Sequence, residues 1–296
     1  MAQAELWTQV DGLKFRFEHA GQGPPLVLVH GLMGCSFCWR HVIPAFACQA
    51  EVFAPDMPGH GLSEYRRDLD CRLQAAARRL AGFLDAVGID SCDLVGSSYG
   101  GATALALASL APARVRRLVL VSPVNPWSKR GRIRLALLGR PSIAAAFLPC
   151  ARSVKSLDGF FLRRLYGDPR HMTRDTLLGY QVPLRNEGTF RHALGIVRSW
   201  RADLEELKSS LPRLAAIPTL IIWGNLDRAV DPASAPSLME SLGSGTRLAV
   251  IEGAGHLPFD ETPEQFSGVV SEFLWKSAPR RDGQLSNGRV SRLQVT

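Results

Sequence analysis

The sequence predicts an α/β fold, a parallel sheet with crossover helices that one helical insertion interrupts. Three observations predict it. Short apolar runs alternate with helix-period segments over residues 1–121, the alternation stops over 123–210, and it resumes afterwards. Strands separated by helices run parallel, because only antiparallel neighbours close through a tight hairpin.

Each element follows from its own pattern. Residues 13–18 alternate like a half-buried strand. Residues 26–29 form a fully apolar run that stops at His30-Gly31, and residues 52–54 another that stops at Pro55. Residues 69–87 read as an amphipathic helix, with Leu73, Ala76, Ala77, Leu80, Phe83, Leu84 and Val87 at helical spacing. A strand at 92–95, a helix at 99–110 and a strand at 117–121 come next. Residues 123–210 keep helical spacing between Pro126, Pro141, Pro149, Pro169 and Pro183, without a buried strand. Strands at 219–223 and 246–251 and a helix at 263–275 close the order, with Thr262 as the expected N-cap and Pro263 at the first helical position. The division is a core of 1–122 and 211–276, a helical cap insertion of 123–210 and a disordered tail of 277–296.

Composition narrows the classes. A chain of 296 residues with 46% hydrophobic content buries a large core. No run approaches the roughly 20 apolar residues of a membrane helix. Residues 1–10 lack the basic and apolar regions of a signal peptide, so the expected location is cytoplasmic. Six cysteines, at 35, 38, 48, 71, 92 and 150, make no disulfide framework, and the lone Cys35–Cys38 pair is read as small buried residues. No zinc spacing, phosphate loop or aromatic-basic interleaving occurs, so no metal, cofactor or nucleic-acid partner is expected. The net charge is +8, and residues 122–210 hold 16 Lys or Arg against 7 Asp or Glu. That excess is read first as a solvated helical surface, and second as a contact for anionic substrates or an acidic membrane surface. The sequence leaves the oligomeric state open.

The sharpest motif is Gly96-Ser97-Ser98-Tyr99-Gly100-Gly101, set between a buried strand and a small-residue helix. A strand-to-helix turn this tight strains the residue at its apex, lifts its side chain above the sheet and excludes bulk two residues away on either side. Ser98 is therefore the expected nucleophile; Ser97 lacks the glycine spacing and is read as packing. Acyl transfer also needs two amides aimed at a developing oxyanion. Tyr99, after the nucleophile, supplies one, and Leu32, in the loop that Gly31 lets turn, supplies the other.

Seven histidines compete for general base. His19 lies on an early edge hairpin, His41 in an early helix, His60 in a turn, and His171 and His192 in the insertion. His30 ends a strand, where imidazole more often bonds loop backbone than reacts. Only His256, in Gly253-Ala254-Gly255-His256 after the last strand, completes the order Ser, acid, His. The acid is Asp227, after the strand ending Trp223-Gly224; its rival Asp231, followed by Pro232, reads as a helix N-cap. Met33 and Leu257 are the expected pocket residues by position.

These residues resemble the α/β-hydrolase superfamily, in the branch of small serine esterases, C–C-bond hydrolases and haloperoxidase-like enzymes. The resemblance rests on His30-Gly31, the turn Asp56-Met57-Pro58-Gly59-His60-Gly61-Leu62-Ser63, Gly96 to Gly101, Gly224 to Asp227 and Gly255-His256. It implies a mostly parallel eight-stranded sheet, a helical cap over the site and a structural role for the 56–63 turn. Dehalogenases and epoxide hydrolases of this fold carry Asp where Ser98 stands. The ring-fission C–C hydrolases commonly carry Trp where Leu257 stands. The expected activity is hydrolysis of carboxylic esters with a hydrophobic part, through an acyl-enzyme on Ser98. The alternatives are C–C cleavage, lyase or acyl-transfer chemistry on the same residues, or a non-catalytic binding protein.

Overall fold

The computed structural model describes residues 5–128, 143, 162–181, 184 and 187–276. The expected tail, Cys150 and the insertion's Phe147, Leu148, Phe160 and Phe161 lie outside them.

Eight strands form one sheet: β1 (Leu6–Val10), β2 (Leu13–Ala20), β3 (Pro25–Val29), β4 (Glu51–Pro55), β5 (Cys92–Ser97), β6 (Val115–Val121), β7 (Thr219–Gly224) and β8 (Arg247–Ile251). Their order is β1-β2-β4-β3-β5-β6-β7-β8. The β1–β2 and β2–β4 pairs are antiparallel and the rest parallel. The carboxyl ends of β3 and β5 to β8 therefore face one rim. The mostly parallel eight-stranded sheet agrees with the expected fold class.

The apolar runs alternate between two cores. Val27, Val29, Leu94, Leu118, Leu120, Ile221 and Trp223 join one cluster with Leu80, Phe83 and Leu105. Leu26, Leu28, Val95, Val119, Val121, Leu220 and Ile222 join the other with Trp39, Phe46, Phe266 and Val270. A strand covered on both faces needs apolar side chains at every position, which is why these segments read as continuous runs. The first core is closed by α2 (Leu73–Ala86) and α3 (Tyr99–Leu110). The second is closed by α1 (Ile43–Phe46) and, further along the chain, the last helix.

Between β6 and β7 the described residues hold helices α4 (Arg174–Gln181) and α5 (Glu187–Ser210) and no strand. α5 docks on the core: Ile196, Leu204 and Leu207 enter the first cluster, and Asp203 accepts the Leu73 amide at 3.2 Å. The chain then forms α6 (Ala235–Leu242), the short α7 (Pro258–Glu261) and α8 (Pro263–Ser271). No helix among the described residues is long and apolar enough to cross a membrane.

Three local expectations are corrected. The helix expected from 69 starts at Leu73, because the Asp70 carboxylate takes the Arg72 amide at 2.9 Å and turns the chain first. His41 lies in a turn, not a helix. Thr262 makes no side-chain cap; its hydroxyl donates back to the Pro258 carbonyl, since the helical turn of α7 runs directly into it. The partner strand in the expected edge hairpin is β1, for which the sequence reading gave no range. Its signal was Asp11-Gly12, whose φ of 50° and 76° give the left-handed two-residue turn that hairpins favour.

Candidate active site

Three strand ends present the residues singled out in the sequence. Ser98 follows β5 directly, Asp227 lies three residues beyond β7, and His256 lies in the loop after β8. Because β5 to β8 are consecutive in the sheet and parallel, all three occupy the same rim.

Ser98 stands at φ 54° and ψ −116°, strained for a residue with a Cβ, and is the residue from which α3 departs. Its amide donates to the Val121 carbonyl at 2.9 Å, and its carbonyl accepts from Val124 at 3.0 Å. The end of β6 and the residues just after it thus hold the elbow on both sides. A Cβ on Gly96 would lie 2.4 Å from the Gly100 carbonyl oxygen, and one on Gly100 would lie 2.3 Å from that of Val29. The glycine spacing that marked the motif is thus a packing requirement. Ser97 is buried within β5, as its reading as a packing residue anticipated.

The loop after β3 passes against Ser98. A Cβ on Gly31 would lie 3.1 Å from the Ser98 Cβ and 3.7 Å from its Oγ. Gly34 donates to the Gly31 carbonyl at 3.0 Å, and Met33 takes a φ of 60°, so residues 31–34 form a tight turn. Leu32 is half-buried in that turn. Tyr99 is the first residue of α3, where an amide has no acceptor within the helix. Its side chain runs the other way, stacking on Trp200 of α5 at 6.0 Å between ring centroids.

His256 and Asp227 are joined: Nδ1 lies 2.8 Å from Oδ2. Both side chains are buried. Asp227 is further held by the Trp223 indole N–H at 3.1 Å and by the Ala229 and Val230 amides at 2.7 and 3.1 Å. Burial pushes its carboxyl up. His256 and the two amides outweigh that and bring it below the usual carboxylate value. Asp227 is therefore a fixed anion against Nδ1 of the imidazole, and Nε2 is the ring nitrogen not bonded to it. Asp231 caps a helical turn, accepting from Ala233 at 3.2 Å, as its proline suggested. No hydrogen bond joins Ser98 Oγ to His256 among the described residues; such bonds often close only when substrate is bound.

The remaining candidates fall into structural places. His30 bonds backbone through both nitrogens, with Nδ1 2.8 Å from the Gly31 carbonyl and Nε2 accepting the Met57 amide at 2.9 Å. Asp56 accepts the Ser36 and Leu62 amides at 2.6 and 2.9 Å, so the 56–63 turn is an internally bonded structure. His30, His60, His192, Arg79 and Tyr99 line a cavity of about 10 Å³ behind the elbow, room for about one water. Leu257 is buried in the second core, and Cys35 and Cys38 are buried free thiols. Among the described residues no group of three or more His, Cys, Asp or Glu is placed to hold a metal ion.

What the sequence reading missed is a pair of buried carboxylates that follow the His256 loop. Asp260, deeply buried, takes the Arg40 guanidinium at 2.7 Å and the hydroxyls of Tyr166 and Tyr180 at 2.9 and 2.8 Å. Beside it, Glu261 accepts two backbone amides. Paired carboxylates four and five residues after a loop histidine were the available signal.

A family model describing the α/β-hydrolase fold matches residues 24–263. The chain belongs to that family. It is 31% identical over 273 residues to a pimeloyl-[acyl-carrier protein] methyl ester esterase of Aeromonas hydrophila, covering 87% of this chain and 98% of that one. It is 29% identical over 278 residues to a 2-hydroxymuconate semialdehyde hydrolase of a Pseudomonas species, covering 89% and 91%. Among solved structures, Cfl2 of Burkholderia cenocepacia superposes with a TM-score of 0.80 at 21% identity, over 91% of this chain and 95% of that one. A hydrolase is the activity class these relatives support.

Proposed function

We propose that the chain is a serine hydrolase that cleaves carboxylic esters with a hydrophobic part through an acyl-enzyme on Ser98. The observation that carries this reading is the strained Ser98 elbow on the same sheet rim as the buried His256–Asp227 pair at 2.8 Å.

The residues divide the work as follows. Ser98 Oγ attacks the ester carbonyl carbon while His256 Nε2 takes the hydroxyl proton. The carbonyl π pair moves onto oxygen, where the Leu32 and Tyr99 amides receive it. As the carbonyl reforms, the C–O bond to the alcohol breaks and His256 returns its proton to that oxygen. Water then adds to the acyl carbon by the same route and frees Ser98. Asp227 stays ionised and holds the imidazole tautomer throughout. The helical segment between β6 and β7 serves as the cap over the acyl pocket, with Met33 at its base.

The relationship to a C–C-bond hydrolase favours a second reading on the same residues, cleavage of a carbon–carbon bond next to a ketone. Leu257, where those enzymes commonly carry Trp, favours the ester. Hydrolysis of nitrophenyl esters of graded chain length tests the choice. We expect turnover that falls by about 10⁴-fold or more in Ser98→Ala, with labelling of Ser98 by an alkyl phosphonate. Absence of both turnover and labelling in the unmodified protein would refute the reading.

A further inference from the structure

Catalysis by an imidazole on a loop needs the loop's backbone held as firmly as the ring. The ring of His256 is held by Asp227. Its backbone is held from the opposite side, by the inserted segment. The His256 amide donates to the Leu165 carbonyl at 2.6 Å. The preceding amide, of Gly255, donates to Glu261 Oε1 at 2.8 Å, and the other oxygen of the same carboxylate accepts the Gly167 amide at 2.7 Å. One buried carboxylate therefore joins the histidine loop to the segment at 165–167. The two backbones meet without a side chain between them: a Cβ on Gly255 would lie 2.4 Å from both the Gly167 nitrogen and the Leu165 carbonyl oxygen.

We propose that Glu261 is a positioning residue for the hydrolytic reaction, fixing the register of the His256 loop against the inserted segment. This rests on the role given to His256 above. The carboxylate suits the task because both of its oxygens accept, and both of its partners are N–H donors. A glutamine would turn its NH₂ toward one of those donors and open the clamp on that side. Asp260, one residue earlier, anchors the same inserted segment through Tyr166 and Tyr180 but bonds no atom of residues 253–256 among the contacts described. The two neighbours thus separate two effects, attachment of the segment and alignment of the base.

The test compares Glu261→Gln with Tyr180→Phe, which loosens the segment's anchor without touching the histidine loop. For Glu261→Gln, kcat on a nitrophenyl ester falls about tenfold while KM stays within about twofold, as a small misplacement of the base requires. Tyr180→Phe keeps the kcat and KM of the parent. A Glu261→Gln protein with the parent's kcat overturns the proposal, as does one whose KM rises in step with the fall in kcat, or a Tyr180→Phe protein that shows the same fall. If Glu261→Gln does not fold, amide exchange in the unmodified protein decides. A Gly255 amide protected by the clamp supports it, and one that exchanges like free chain overturns it. Phosphonate labelling of Ser98 is scored separately, so failure of the hydrolase reading is distinguishable from failure of the clamp.

Discussion

Ser98 carries its φ of 54° because β5 must turn into α3 with Ser98 as the single residue between them, and Gly96 and Gly100 leave the space in which that turn fits. Adding a methyl at Gly100 drives it into the Val29 backbone, which no rotamer change relieves. Gly100→Ala should cost about 3 kcal/mol, read from urea midpoints, and activity should fall with it because Val29 leads into the 31–34 turn. Asp227 is a different case. Both its oxygens are committed, one to His256 and Trp223, the other to the Ala229 and Val230 amides. Asp227→Asn keeps the shape but presents an NH₂ to one set of donors. We expect kcat to fall by about 10³- to 10⁴-fold, with the far-ultraviolet circular dichroism spectrum unchanged.

At the scale of an element, the 56–63 turn shows how a loop with no regular structure is made rigid. Asp56 takes the amides of Ser36 and Leu62, and Ser63 Oγ returns a bond to the Asp56 carbonyl at 2.6 Å. The same hydroxyl accepts the Arg16 amide at 2.8 Å, tying the turn to β2. Asp56→Ala strands two amides and should destabilise the fold by about 2 to 4 kcal/mol, measured by urea denaturation. The family resemblance implied a structural role for this turn, and its bonding agrees. The starting point of α2 was not legible in the same way. Apolar spacing continues back to Leu69, but a competing local bond at Asp70 decides where the helix begins.

Across the whole molecule, α5 lies on the core through a group of buried bases. His192 of α5 meets His60 of the 56–63 turn with ring centroids 5.2 Å apart, and His60 meets His30 at 5.3 Å. Burial first, and then Arg79, lower His192 from 6.5 to about 4. Burial, His30 and His192 push His60 the same way. In the unfolded chain these imidazoles take protons near the ordinary value, while in the folded chain they resist. Acidification therefore favours unfolding, and the loss spans the window from about 6.5 down to about 4. For His192 alone it amounts to about 2 kcal/mol between pH 7.5 and 5. His192→Gln should flatten that part of the stability profile, as urea midpoints at the two pH values would show.

The sequence by itself determined the fold class, most of the core elements in their chain order and the side chains proposed to react. Each of these leaves a local mark: an apolar run for a strand covered on both faces, glycines two residues either side of Ser98, a carboxylate and a histidine after successive late strands. Only the tertiary structure decided what holds the histidine loop and what anchors the inserted segment. Asp260 and Glu261 look in sequence like an acidic start to a surface helix. They are buried, and their partners at 40, 166, 167, 180 and 255 lie up to 220 residues away. A hydrogen bond between distant segments leaves no periodicity in either one, so the chain had to fold before the brace could be seen.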